Sequence, residues 1–258
     1  MHRLHVLHAG QGPTVLLLHG IGSSATAWSK QLERLGNEFT CIAPDLPGYG
    51  DSPDAEEPGL DAIVADVAAV LEGRPAHVVG VSFGALTALA LARLHPELVR
   101  SLTLADATLG RATLARDELE RWLRHREGLA HELATRSLER AAEIAGRHAP
   151  PEAIAEIARH MRRARPAGYT NVARTIAATD ARPWLGGIGQ PALVLCGEDD
   201  RVTGMDVSRT LLAELPHAAL LPIAGAGHAP HLEQPDRFAQ AVRPFLHAQG
   251  RVTGAAPT

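Results

Sequence analysis

The segment Gly80-Val81-Ser82-Phe83-Gly84 places a hydroxyl between two glycines, where the apolar run "AHVVGVS" gives way to the helix-forming run "FGALTALALARLH". Strand, sharp turn and helix in that order lift a side chain above the end of a sheet, the context a nucleophilic Ser requires. The helix N-terminus beneath it favours developing negative charge. A Ser at this place can instead cap the helix, and the pentapeptide alone does not separate the two roles. The hydroxyl attacks a carbonyl only if a base takes its proton. Among 14 His residues, His228 in "PIAGAGHAPHLEQPDRF" stands out, because it follows an apolar run and two glycines and precedes a helix. His231 is its competitor. The base in turn needs a carboxylate to fix its tautomer and to stabilise the imidazolium. Glu198, Asp199 and Asp200 follow the run "ALVLCG", and Asp106 ends "RSLTLAD"; either loop can supply the acid. The oxyanion of a tetrahedral intermediate needs N–H donors. Phe83, directly after the Ser, supplies one, and the glycine-rich turn His19-Gly20-Ile21-Gly22 can expose others. The His residues at 2, 5 and 8 and at 125, 131, 148 and 160 read as solvated or capping groups. No His, Cys and carboxylate grouping has zinc-like spacing.

These groups converge only if the elements carrying them share one sheet edge. Seven apolar runs read as strands: "HRLHVLH", "VLLLHG", "FTCIAPD", "AHVVGVS", "RSLTLAD", "ALVLCG" and "AALLPI". Most are continuous rather than alternating, as strands covered on both faces of a parallel sheet are. The first run alternates and is expected as an antiparallel edge. Helix-like stretches near 27–36, 60–72, 83–95, 205–215 and 236–247 separate the runs. The alternation predicts an α/β fold with a mostly parallel central sheet. From 111 to 185 no strand signal occurs, and the segment reads as several helices inserted between two strands. In "PPEAIAEIARHMRRARP", Ile154, Ile157, Ala158 and Met161 share one face, with Pro150-Pro151 opening the helix and Pro166 closing it. The expected division is a core over 1–110 and 186–248, an all-helical cap over 111–185, and a flexible tail over 249–258.

A chain of 258 residues, 45% hydrophobic, suffices for one sizeable core. Its net charge of −4 argues against a general nucleic-acid surface. The charge is unevenly spread: 111–185 carries 14 Arg against 10 acids, a balance of +4, and the remainder carries −8. No run of 18 apolar residues reads as a membrane span, and "MHRLHVLHAG" lacks the core of a signal peptide, so the cytoplasm is the expected compartment. Cys41 and Cys196 sit in apolar runs and read as buried thiols.

The set "HGIG" at 19–22, "DLPGYGDS" at 45–52, "GVSFG" at 80–84, "GEDD" at 197–200 and "GAGHAPHLEQP" at 225–235 resembles the α/β-hydrolase superfamily, in the order Ser, Asp, His that this fold uses. The resemblance implies Ser82 as nucleophile, His228 as base, Asp200 as acid with Asp106 as the minority option, and the Ile21 and Phe83 N–H groups as oxyanion donors. It implies a helical cap over the pocket, no metal or organic cofactor, and a small-molecule substrate. The short N-terminus predicts seven strands rather than the family's usual eight. The implied activity is cleavage of a small ester or lactone through an acyl-enzyme, and the layout is similar to enol-lactonases and carboxylesterases. A hydrolase of carbon–carbon bonds in ring-cleavage products, an acyltransferase and a non-catalytic ligand receptor are the alternatives. An epoxide hydrolase or dehalogenase places Asp where Ser82 stands. Gly20, Gly22, Arg162, Tyr169 and Asn171 are the candidate substrate-binding residues.

Overall fold

A computed structural model describes residues 4–250. Seven strands form one sheet: β1 (Val6–Ala9), β2 (Thr14–Leu18), β3 (Thr40–Pro44), β4 (Ala76–Val81), β5 (Val99–Ala105), β6 (Ala192–Gly197) and β7 (Ala218–Ile223), in the order β1-β3-β2-β4-β5-β6-β7. Only β1 runs antiparallel, against β3; all other pairs are parallel. The sequence predicts this count and the antiparallel edge. The continuous apolar runs work as expected. Val15 and Leu17 of β2 pack into one core, and Leu16 and Leu18 into another across the sheet, because successive side chains leave a strand on opposite faces. Helix α1 (Ser29–Leu35) and, after the single-turn α8 (Pro230–Glu233), α9 (Pro235–Gly250) cover the first face. Helices α2 (Leu60–Val70), α3 (Phe83–Leu94) and α7 (Gly204–Glu214) cover the second. β7 departs from the expectation of double cover: alternate residues are exposed, Leu221 among them, since β7 is the sheet's other edge.

Between β5 and β6 the chain forms α4 (Arg116–Ile144), α5 (Pro151–Arg162) and α6 (Pro166–Ala178). The two ends of this insert are tied together. Gly110 bridges Asp180, Arg111 N–H donates to the Ile176 carbonyl, and Ala181 N–H donates to the Leu109 carbonyl. The predicted face of α5 is found, with Ile157, Ala158 and Met161 buried against α4 residues Leu129, Leu133 and Ala141. Pro166 does not close α5, which has already ended at Arg162; it occupies the first turn of α6. Its missing N–H has no acceptor to serve there, and its fixed φ suits a helix start. Of the expected tail, 249 and 250 belong to α9, while 251–258 lie outside the described residues, as does His2. No helix among the described residues is long and apolar enough to cross a membrane. Cys41 and Cys196 are free and buried, and burial pushes each thiol up to about 12.

Candidate active site

Ser82 sits between β4 and α3 with φ 55° and ψ −113°, a conformation that L-residues rarely adopt. Its neighbours make the turn possible: a Cβ at Gly80 would run into the Gly84 carbonyl, and one at Gly84 into the Leu18 carbonyl. Ser82 N–H still extends the ladder to the Ala105 carbonyl at 2.9 Å, so the strained residue is anchored in the sheet. The hydroxyl does not cap α3. It meets His228 Nε2 at 3.0 Å instead.

His228 Nδ1 lies 3.1 Å from Asp200 Oδ1. Both carboxylate oxygens of Asp200 are further held. Oδ1 accepts the Val202 N–H at 2.8 Å, and Oδ2 accepts the Thr203 hydroxyl at 2.6 Å and the Gly204 N–H at 3.0 Å. Burial opposes its ionisation, but the bond from His228 and these donors outweigh burial and keep its pKa below the usual carboxylate range. Asp106 ends the neighbouring strand in a left-handed conformation, φ 43°. Its Oδ1 accepts the Gly197 N–H at 2.9 Å, and its buried Oδ2 has no hydrogen-bond partner among the described residues. Burial, and then the adjacent Asp200 charge, push the Asp106 carboxyl well above the carboxylate range. The two acids therefore divide: the donors around Asp200, which faces His228, favour its ionised form, and the burial of Asp106 beside it favours the protonated form. His231, the competing base, reaches neither acid; it packs on Trp28 with ring centroids 4.6 Å apart, and burial lowers its pKa to about 3.

The turn after β2 backs directly onto the Ser: a Cβ at Gly20 would stand 3.3 Å from Ser82 Cβ. His19 sets the orientation of this turn. Its Nδ1 meets the Gly20 carbonyl at 2.9 Å and its Nε2 accepts the Leu46 N–H at 3.0 Å, which fixes the neutral tautomer protonated on Nδ1. Burial lowers its pKa in agreement. A trans peptide points its C=O and N–H in opposite directions, so a Gly20 carbonyl held by His19 turns the Ile21 N–H away from it. Phe83 is the first residue of α3, whose N–H has no acceptor one turn back. Asp45, in the "DLPGYGDS" loop, is occupied by structure: it accepts the Ala25 N–H at 2.7 Å, the Asp51 N–H at 3.1 Å and the His5 ring at 2.8 Å.

Glu233 has a role that the sequence reading missed. Its buried carboxylate accepts the Gly227 N–H at 2.9 Å and the Ala229 N–H at 3.0 Å, on either side of His228, and the Gly146 N–H at 2.7 Å just beyond α4. His228 N–H donates to the Ile144 carbonyl at 2.9 Å, and Arg201, beside Asp200, donates to the Glu143 and Ala145 carbonyls. The loops that carry His228 and Asp200 thus both rest on the end of α4. The one available signal was an acid within the apolar stretch after the glycine turn, five residues past His228. Glu233→Ala leaves three buried N–H groups without an acceptor and is expected to lower stability by about 3 kcal/mol or more, read by urea denaturation. A loss under about 1 kcal/mol would contradict this reading.

Ser82 and His228 open into a cavity of about 900 Å³, counting its solvent-open mouth. Gly20, Ile21, Gly22 and Tyr169 line it, whereas Arg162 and Asn171 do not. Arg162 lies on the exposed side of α5, because the buried face of that helix is the apolar one. Asn171 lies on the side of α6 that faces a separate depression near Pro58 and Arg174. The arginines that line the cavity are Arg111, Arg126 and Arg140, with Trp122 beside them. Among the described residues, two groups of side chains have donor atoms close enough for a metal ion, Asp106 with Asp200 and His228, and His5 with Asp45 and Asp51. Asp200, His228 and Asp45 already spend their donor atoms on the bonds above.

A family model described as "Alpha/beta hydrolase family" matches residues 15–241. A pimeloyl-[acyl-carrier protein] methyl ester esterase of Chromobacterium violaceum is 32% identical over 255 residues, covering 95% of this chain and 99% of that protein. Among solved structures, a thermophilic esterase from Thermogutta terrifontis superposes with a TM-score of 0.85 at 27% identity, covering 95% of this chain and 93% of the other. An enol-lactonase from Burkholderia xenovorans superposes at 0.80 with 24% identity, covering 95% and 96%, a likeness of fold alone. With the family model matched over most of its length, the chain belongs to the alpha/beta hydrolase family of enzymes.

Proposed function

We propose that the protein is a serine hydrolase of carboxylic esters that works through an acyl-enzyme. The observation that carries this reading is the continuous bond path from Ser82 Oγ to His228 Nε2 at 3.0 Å, and from His228 Nδ1 to Asp200 at 3.1 Å. His228 takes the Ser82 proton as Oγ attacks the ester carbonyl, and Asp200 stays ionised and stabilises the imidazolium. The Ile21 and Phe83 N–H groups receive the oxyanion. His228 then protonates the leaving alcohol, and water repeats the sequence on the acyl-enzyme. The insert over 111–185 roofs the cavity, where the acyl chain lies. The relatives named as methyl ester esterases favour the methyl ester of an acyl chain as substrate.

The test is a short-chain p-nitrophenyl ester and an organophosphonate. The ester is expected to release a stoichiometric burst of nitrophenol if deacylation is the slower step, and the phosphonate to add covalently to the peptide containing Ser82. Failure of both the covalent adduct and ester turnover would reject the reading.

A further inference from the structure

Of the three guanidiniums that line the cavity, none is used by ester cleavage at Ser82, and two lack an ion-pair partner among the described residues. Arg111 lies at the entry to the insert and Arg126 on α4, and the Trp122 ring lies under both, 5.1 Å from Arg111 Cζ and 5.2 Å from Arg126 Cζ. Among the described residues neither forms an ion pair. The contrast within the insert is informative. Its other half-buried arginines, Arg140 and Arg165, are paired with Glu143 and Asp54, and those that lack a carboxylate partner, Arg121, Arg162 and Arg163, are exposed. Arg126 gives one N–H to the Tyr169 hydroxyl at 3.1 Å, and its buried Nε has no acceptor. Burial, then the charge of Arg126, lowers the Arg111 pKa by more than the charge of Glu118 raises it, a sign that the two cations are held close with only partial compensation. Tyr169 in turn packs against Gly22, next to the Ile21 peptide, so this group adjoins the reacting centre.

Unpaired, partly desolvated guanidiniums are costly, and an anion between them removes both the repulsion and the unmet N–H groups. Guanidinium forks fixed by a ring present in-plane N–H pairs that match a planar carboxylate. We propose that Arg111 and Arg126 form an anion subsite for a carboxylate borne by the substrate away from its scissile ester, so that half-esters of dicarboxylic acids are preferred over neutral esters of the same length. The substrate class rests on the ester-hydrolase reading above; the anion subsite does not.

The experiment compares kcat/KM for the monomethyl esters of succinic, adipic and suberic acids with methyl butyrate, hexanoate and octanoate. It also measures binding of the three free dicarboxylates by calorimetry. At least one half-ester is expected to exceed its neutral counterpart by about tenfold, and Arg111→Gln and Arg126→Gln each to reduce that ratio about tenfold, mainly through KM. The Arg111 side chain makes no hydrogen bond within the protein among the described residues, so Arg111→Gln decides the matter should Arg126→Gln fail to fold. Turnover of neutral esters with no half-ester preference, and dicarboxylate binding that is absent or indifferent to Arg111→Gln, overturns the subsite and leaves the hydrolase standing. No turnover of any ester, with dicarboxylate binding that Arg111→Gln weakens tenfold, does the reverse.

Discussion

Ser82→Ala is expected to lower kcat/KM for a methyl or p-nitrophenyl ester by on the order of 10⁴-fold or more. The substitution removes the hydroxyl that attacks in the proposed mechanism and leaves its surroundings in place. The Ser82 hydroxyl makes one hydrogen bond, to His228, and the turn is held by Ser82 N–H and by the tight approach of Gly80 and Gly84 rather than by the side chain. Ala meets the same backbone strain at φ 55° as Ser does, so the thermal midpoint should change by no more than a few degrees. Activity and stability measured on the same preparation separate the two effects. Retained turnover in a folded Ser82→Ala protein would exclude the Ser as nucleophile.

Asp200→Asn is expected to cost on the order of 10³ to 10⁴-fold in kcat, and Asp106→Asn less than about tenfold. Asn at 200 can present its amide N–H₂ to His228 Nδ1, which drives the ring proton to Nε2, where it blocks uptake of the Ser82 proton. The N–H groups of Val202 and Gly204, aimed at opposite oxygens of Asp200, also guarantee one clash with that amide. Asn at 106 copies a neutral carboxyl in shape: its oxygen accepts the Gly197 N–H and its amide nitrogen takes the place of the unpartnered Oδ2. Reversed magnitudes would make Asp106 the orienting acid. The pH dependence of stability has a definite sign. An acid whose folded pKa is raised binds its proton in the folded state after the unfolded chain has released it, so it lowers stability as pH climbs from about 4 towards the raised value. Asp200, depressed by its donors, stabilises above about pH 4 and loses that contribution as pH falls below it. Asp106→Asn removes only the first effect. Its stability relative to wild type is therefore expected to rise between pH 4 and neutrality in urea titrations.

The sheet was readable because its strands are continuous apolar runs closed by short glycine turns, a pattern set by local sequence. Placing Ser82, His228 and the "GEDD" loop at strand ends followed from it. Choosing between Asp106 and Asp200 was not readable from the residues alone. β5 and β6 are adjacent, so both carboxyls end at the same place, and the geometry of the loop after β6 decides which of them faces His228. The lining of the cavity was less legible still. Arg162 and Asn171 follow from charge and proximity in sequence, whereas Arg111, at the entry to the insert, and Arg126, on α4, line the cavity through tertiary packing that no local pattern shows. Burial of Glu233 likewise depends on Gly146, 87 residues away in the chain.

The end of α4 is where the insert, the His228 loop and the Asp200 loop are bonded together, through Glu233, Ile144 and Arg201. A roof riveted at that corner cannot swing open there without dragging the imidazole out of register. For anyone grafting a foreign roof onto this scaffold, the residues from 143 to 147 belong with the chemistry and have to stay behind.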